Sequence, residues 1–191
     1  MLPATALAGS FSTTGEARML KQIGFGLGIV LLWGSTCFAG ALEDGFAAFG
    51  RGEFDQAFRH WMPLAQAGDP VAQFNVGILF EQGRGAAQDP AEAMRWYLRA
   101  AKTGDVVSQF KLGLIYAEGE GFSQNYSEAA KWYLLAAESN HVRAQFRVGT
   151  MYANGQGLPQ DLGLATAWYE RAEETSCTYG DIEAANGPRL N

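Results

Sequence analysis

The strings with the most direct chemical reading are Ser108-Gln-Phe-Lys111, an S-x-x-K, and Lys102-Thr-Gly104 just before it. Serine enzymes that act on β-lactams and cell-wall peptides carry both, the lysine standing one helical turn from the nucleophile. Here the two occur in the opposite order, and no Ser-Asp-Asn lies between them. A zinc centre needs three or four converging ligands, whereas His60 and His141 are the only histidines and stand 81 residues apart. Gly-x-Gly recurs at 83/85, 119/121 and 155/157, but each follows a helical pattern and so lacks the strand that opens a phosphate-binding loop. No catalytic residue, metal ligand or cofactor site is therefore expected. One hydrolase alternative stays open, acting on cell-wall or β-lactam substrates, and it would need Ser108.

Composition narrows the classes further. With 48% apolar residues among 191, the chain can bury a core and is not a disordered one. Its 14 Lys+Arg against 20 Asp+Glu leave a net charge of -6, no footprint for a phosphate backbone, so nucleic acid is not an expected partner. Cys37 and Cys177 cannot make a disulfide framework if the first is removed with a leader. Cys177 then reads as incidental, or as the site of an intermolecular bridge.

The N-terminus reads as an address. Lys21 precedes the 11-residue apolar run from Ile23 to Trp33, and Cys37-Phe38-Ala39 resembles a small-x-small cleavage site. A signal peptide over 19–39 is expected, with cleavage after Ala39 and translation starting at Met19; residues 1–18 add nothing to it. An uncleaved N-terminal anchor is the alternative, and would be the chain's only membrane contact. The run is short for a span, which takes about 20 apolar residues. Export, to the periplasm first of all, is expected either way. Loss of 1–39 removes Glu16, Arg18 and Lys21 and leaves -7 on the remainder.

The elements that position every residue above repeat with a period of 36. Trp96, Trp132 and Trp168 keep this step, as do Gly77, Gly113 and Gly149, Gln73, Gln109 and Gln145, and Gln88, Gln124 and Gln160. Each unit predicts two helices. In helix A, Asp69-Pro70 supplies a cap and a first-turn proline, and Ala72, Val76, Leu79 and Phe80 form the buried stripe. Gly77 on that side lets the partner helix approach. In helix B, Asp89-Pro-Ala-Glu92 has the capping-box pattern, with the glutamate reaching back to the cap. Ala93, Trp96, Tyr97 and Ala100 share its inner face, and Phe74, Phe110 and Phe146 predict a packing column between neighbouring repeats. The segments are a partial pair at 41–68, full repeats at 69–104, 105–140 and 141–176, and a polar cap or tail at 177–191. Stacked pairs bury what one pair cannot.

The pattern Ala-Gln-Phe-x-Val-Gly…Gly-x-Gly…Gln-Asp-x-x-x-Ala-x-x-Trp-Tyr…Ala-Ala-x-x-Gly resembles the Sel-one-like repeat (SLR), a relative of the tetratricopeptide repeat. The resemblance covers residues 69–174 and, less closely, 41–68. It departs at Asn140, which replaces the glycine ending helix B, and at Gly163 inside the third helix B, where it should weaken the helix by about 1 kcal/mol relative to Ala. The resemblance implies an all-α fold, a short right-handed α-solenoid of stacked antiparallel helix pairs. It also implies an interaction module, and bacterial members suggest an adaptor or regulator of the envelope.

Turning 100° per residue from the inner stripe leaves an outward arc on each helix A. It comprises Val71, Asn75, Ile78 and Gln82, then Val107, Lys111, Leu114 and Glu118, then Arg143, Arg147, Thr150 and Asn154. The first three of each are the expected partner-binding set, a concave stripe apolar at one end and basic at the other, with Lys111, Arg143 and Arg147 clamping an acidic group of a protein partner. A solvated face is the plain reading of the same residues, and a structural, glycan-binding envelope protein is a further alternative. Neither the partner nor the oligomeric state follows from the sequence.

Overall fold

A computed structural model describes residues 40–119 and 123–186, with side chains in the last helix described as far as 177. The expected leader at 19–39, residues 1–18, Gly121 and residues 187–191 lie outside them. The described residues from Leu42 onward form one compact unit. Among the described residues there are helices and no strand. They are α1 (residues 40–50), α2 (Phe54–Ala67), α3 (Pro70–Gln82), α4 (Pro90–Lys102), α5 (Val106–Glu118), α6 (Tyr126–Glu138), α7 (Val142–Asn154) and α8 (Leu162–Asn186). Each helix from α2 onward packs on the next, most closely within the pairs α3/α4, α5/α6 and α7/α8. This is an all-α repeat solenoid. None of the described helices is long and apolar enough to cross a membrane.

Local chemistry starts and stops each helix. Asp69 and Asp105 accept the N–H of Ala72 and Ser108, both at 2.7 Å, while Asp89 and Asn125 accept those of Glu92 and Glu128. The second half of the expected capping box is not made. The cap residues' own N–H groups are taken by carbonyls at the end of helix A, Asp89 by Phe80 at 2.9 Å and Asn125 by Tyr116 at 2.8 Å. With that donor engaged, Glu92 and Glu128 pair instead with Arg95 and Lys131, one turn along their own helices. Helix A ends at Gly83, Gly119 and Gly155, each left-handed with φ between 65° and 74°. Asn140 adopts the same region at φ 62° where the other helix B ends in glycine. Gly163 falls in the first turn of α8, next to the Asp161 cap, where N–H groups have no intrahelical partner anyway. Its cost is therefore below that of an interior glycine.

His141 caps α7 in the place of Asp69 and Asp105, its Nδ1 accepting the Ala144 N–H at 3.2 Å. Burial, and then Arg143, hold its pKa below the ordinary 6.5. The cap needs the neutral ring, because protonated Nδ1 becomes a donor. Between the two values the unfolded chain binds a proton that the folded chain refuses. This contribution is thus complete above the unfolded value and declines as pH falls through the window below it. His141→Asp should stabilise the array by about 1 kcal/mol at pH 5.5, and by less at pH 7.5. Melting curves showing equal gains at both pH values would contradict this role.

The core is a ladder of small and aromatic residues. Ala72, Val76, Leu79, Ala93, Trp96, Tyr97 and Ala100 are buried, and Phe80 half-buried. An added Cβ at Gly77, Gly113 or Gly149 would lie 2.4–2.7 Å from the ring of Tyr97, Tyr133 or Tyr169. In the first pair, Gly45 admits Trp61 in the same manner, and the indole donates to the Leu42 carbonyl at 3.2 Å. Two glutamine columns tie helix ends together. Gln73, Gln109 and Gln145 are buried and donate to the carbonyls of Ala65, Ala101 and Ala137 at the end of the preceding helix B. Gln88, Gln124 and Gln160 donate to Glu81, Ala117 and Ala153 at the end of their own helix A. Helix α8 runs unbroken to Asn186, so the boundary expected at 176/177 falls within one helix, and Cys177 is an exposed free thiol on it.

Candidate interaction face

The helix-A residues 71, 75 and 78, with their equivalents one and two repeats on, differ in how much they offer to a partner. Val71 and Val107 are exposed, at 39% and 49%. Arg143 and Arg147 are exposed as well, and neither has a carboxylate within ion-pair distance among the described residues. Ile78 and Leu114 are half-buried and pack against the core clusters of their own repeats. Asn75 donates back to the Val71 carbonyl at 2.9 Å. The Thr150 hydroxyl donates to the Phe146 carbonyl at 2.9 Å and lies 3.3 Å from the Tyr169 hydroxyl. The free contact surface is thus narrower than the arc read from periodicity.

Lys111 is not the free cation of that arc. Its Nζ lies 2.7 Å from Glu81 Oε1, across the junction between α3 and α5, and both side chains are half-buried. The other Glu81 oxygen accepts the Tyr97 hydroxyl at 2.6 Å. Burial, with this bond second, pushes the Tyr97 phenol well above the usual tyrosine range. The pairing also separates the S-x-x-K: Ser108 is fully buried on the inner face, while the Lys111 ammonium sits on Glu81. These two residues do not assemble a nucleophile and base. Among the described residues, no three His, Cys, Asp or Glu side chains gather as metal ligands.

Phe146 belongs to the face although periodicity assigned it to packing. Phe74, Phe110 and Phe146 each pack at 5.5–5.6 Å on the tyrosine of their own helix B, and Phe74 and Phe110 also join core clusters that reach into the next repeat, as expected. Phe110 alone gains a ring from the next repeat, stacking on His141 at 4.5 Å, with the Arg143 guanidinium 5.2 Å from its centroid. Phe146 stands in the last repeat and is 46% exposed. Its position there is the signal that could have found it. With Val142, Arg143, Arg147 and Thr150 it lines a shallow depression of about 300 Å³. One aromatic ring between two unmatched guanidinium groups suits an acidic, partly apolar segment.

The profile of the Sel1 repeat matches residues 70–105, 106–141 and 142–174. Among solved structures, a Sel1 repeat protein from Oxalobacter formigenes is 36% identical with a TM-score of 0.66, the match covering 70% of this chain and 55% of that one. A protective antigen present in uropathogenic Escherichia coli strains, displaying an SLR fold, is 33% identical with a TM-score of 0.68, over 72% of this chain and 30% of that one. The match thus spans about half or less of these relatives' own lengths. No curated protein matches the chain.

Proposed function

The chain belongs to the Sel1 repeat family, and from that premise we propose that its array is a non-enzymatic protein–protein interaction module, an adaptor or regulator outside the cytoplasm. A partner segment lies along the helix-A face, concave as in other helical solenoids. The observation that carries the reading is the α7 surface, where Phe146, Arg143 and Arg147 are exposed together and the two arginines have no carboxylate of the chain to pair with. Both guanidinium groups are therefore open to a partner's carboxylates, whereas Lys111 is already matched by Glu81. Export is supported by the basic, apolar and small-residue parts of 19–39.

The test is cross-linked affinity capture from envelope extract, with the full chain as bait and Arg143→Glu/Arg147→Glu as its control. Lys111 is left alone, because a glutamate there would face Glu81 and disturb the fold itself. The double variant should melt within about 1 °C of the parent, since exposed unpaired charges add little to stability. It should lose most of the captured partner. Capture unchanged by the reversal would remove the face from the mechanism. N-terminal sequencing of the recovered bait should begin at Gly40, and a cytosolic chain with its leader intact would argue against export.

A further inference from the structure

The 36-residue step carries Glu81 to Ala117, Tyr97 to Tyr133, and Lys111 to Arg147. In the earlier copy these positions form a closed set. The Glu81 carboxylate takes the Tyr97 hydroxyl on one oxygen at 2.6 Å and the Lys111 ammonium on the other at 2.7 Å. The later copy retains the phenol and the cation but lacks the carboxylate. Tyr133 is 1% exposed, and its hydroxyl has no hydrogen-bond partner among the described residues. Arg147 is exposed, without an ion pair among the described residues, and near enough to Tyr133 to act on its ionisation. The third copy solves the same problem differently, its Tyr169 hydroxyl lying 3.3 Å from Thr150 Oγ1. A buried phenol with no acceptor is costly, by roughly 1–3 kcal/mol. Only the middle copy leaves that cost unanswered, and only there does the neighbouring cation remain unmatched.

We propose that the junction of α5, α6 and α7 is a carboxylate-binding site, in which a glutamyl side chain of the partner segment takes the place that Glu81 holds one repeat earlier. One of its oxygens accepts from the Tyr133 hydroxyl and the other pairs with the Arg147 guanidinium. Glutamate is chosen because the chain's own template is a glutamate. Ala117, which stands at the equivalent position of α5, ends at Cβ and supplies no carboxylate of its own. The Tyr133 hydroxyl is covered by protein, so binding requires a side chain over it to move. Arg147 is exposed, and no ion pair among the described residues holds it in place. Glu118, exposed on the next position of α5, adds negative potential that the incoming carboxylate must overcome through Arg147 and the phenol. This site deepens the interaction reading and rests on it, since Arg147 belongs to the same face.

The test is an NMR titration of the full chain at low salt with Ac-Ala-Glu-Ala-NH2, following the Arg147 Nε–H and Tyr133 ring signals. Ac-Ala-Gln-Ala-NH2 and Ac-Ala-Ala-Ala-OH serve as the neutral and terminal-carboxylate arms. The glutamyl peptide should give a saturable shift. Its affinity should fall roughly tenfold in Arg147→Gln, in which a charged partner becomes neutral, and severalfold in Tyr133→Phe. Ala117→Glu should abolish the shift, because the chain then supplies its own carboxylate, and it should melt at or above the parent's temperature. An equal response to the glutamine peptide, binding only by the terminal-carboxylate arm, or binding retained in Ala117→Glu would overturn the proposal. A partner captured through Arg143 and Arg147 with no response to the glutamyl peptide would overturn this site alone. Peptide binding with no captured partner would instead count against the interaction module.

Discussion

Gly113→Leu should destabilise the array by about 3 kcal/mol, the upper end for overpacking a close-packed interior, and lower the melting temperature by roughly 10 °C. Gly113 is buried in α5 and faces Tyr133 of α6, and an ideal Cβ there would lie 2.4 Å from both Cδ1 and Cε1 of the ring. Neither wall can give easily, since Tyr133 is itself 1% exposed and pinned against Phe110 at 5.6 Å. Three further carbons make the two helices part, and α5 joins the first repeats to the last. Gly50→Ala is the matched control. Nothing lies within 4 Å of its Cβ position and its φ is not positive, so the melt should be unchanged or slightly raised. The leucine variant combined with Tyr133→Leu should recover part of the loss, because the ring is the obstacle. A melting curve unmoved by Gly113→Leu would mean that α5 does not present this face to α6.

Gly157→Val should be comparably damaging for a different reason. The residue sits at φ 74°, a region that β-branched side chains scarcely enter, and its Cβ would lie 2.2 Å from the Tyr126 carbonyl oxygen and 2.4 Å from the carbonyl carbon. Backbone cannot rotate aside as a side chain can. The expected loss is about 3 kcal/mol, and it falls at the seam where the third repeat's turn leans on the start of α6. Because neighbouring repeats contribute nearly additively, the α7/α8 pair should then melt ahead of the rest and give a two-step denaturant curve. Gly155→Ala isolates the backbone part of the effect. Its Cβ would meet Gln160 alone, the nearest atom being that residue's Cβ at 3.3 Å, so the left-handed conformation is the main penalty, about 1 kcal/mol. A single sharp transition for Gly157→Val, at the parent's midpoint, would show that the turn does not hold the repeats together.

The two-helix unit, the inner stripe of helix A and the glycines that let a partner helix approach follow from the chain alone, whereas the end of the last helix, expected near 176 and found at Asn186, does not. Each of the first three is a local property repeated in register. A cap needs a side chain three residues from the N–H it receives, and a stripe needs only a 3.6-residue period. Where the reading failed, a long-range group had taken a partner that local logic had assigned elsewhere. Glu92 and Glu128 leave the capping box because carbonyls of the preceding helix already hold the cap's N–H. Lys111 leaves the groove because Glu81, thirty residues earlier, lies against it. Phe146 joins the face because it stands in the last repeat, where a column of identical letters gives no hint of altered surroundings.

By itself, then, the sequence determined the repeat and the two-helix unit. The 36-residue period brings equivalent residues to equivalent places, and any substitution within a column is visible on the page. Tertiary structure decided what those substitutions mean. Glu81 and Ala117 are equivalent by register, yet only the folded stack shows that one carboxylate joins a phenol of α4 to an ammonium of α5. Its loss one repeat later leaves Tyr133 and Arg147 each without a counterpart among the described residues. The reason is physical: register is a property of chain distance, whereas pairing of charge and hydrogen bond depends on which side chains from three different helices meet within 3 Å.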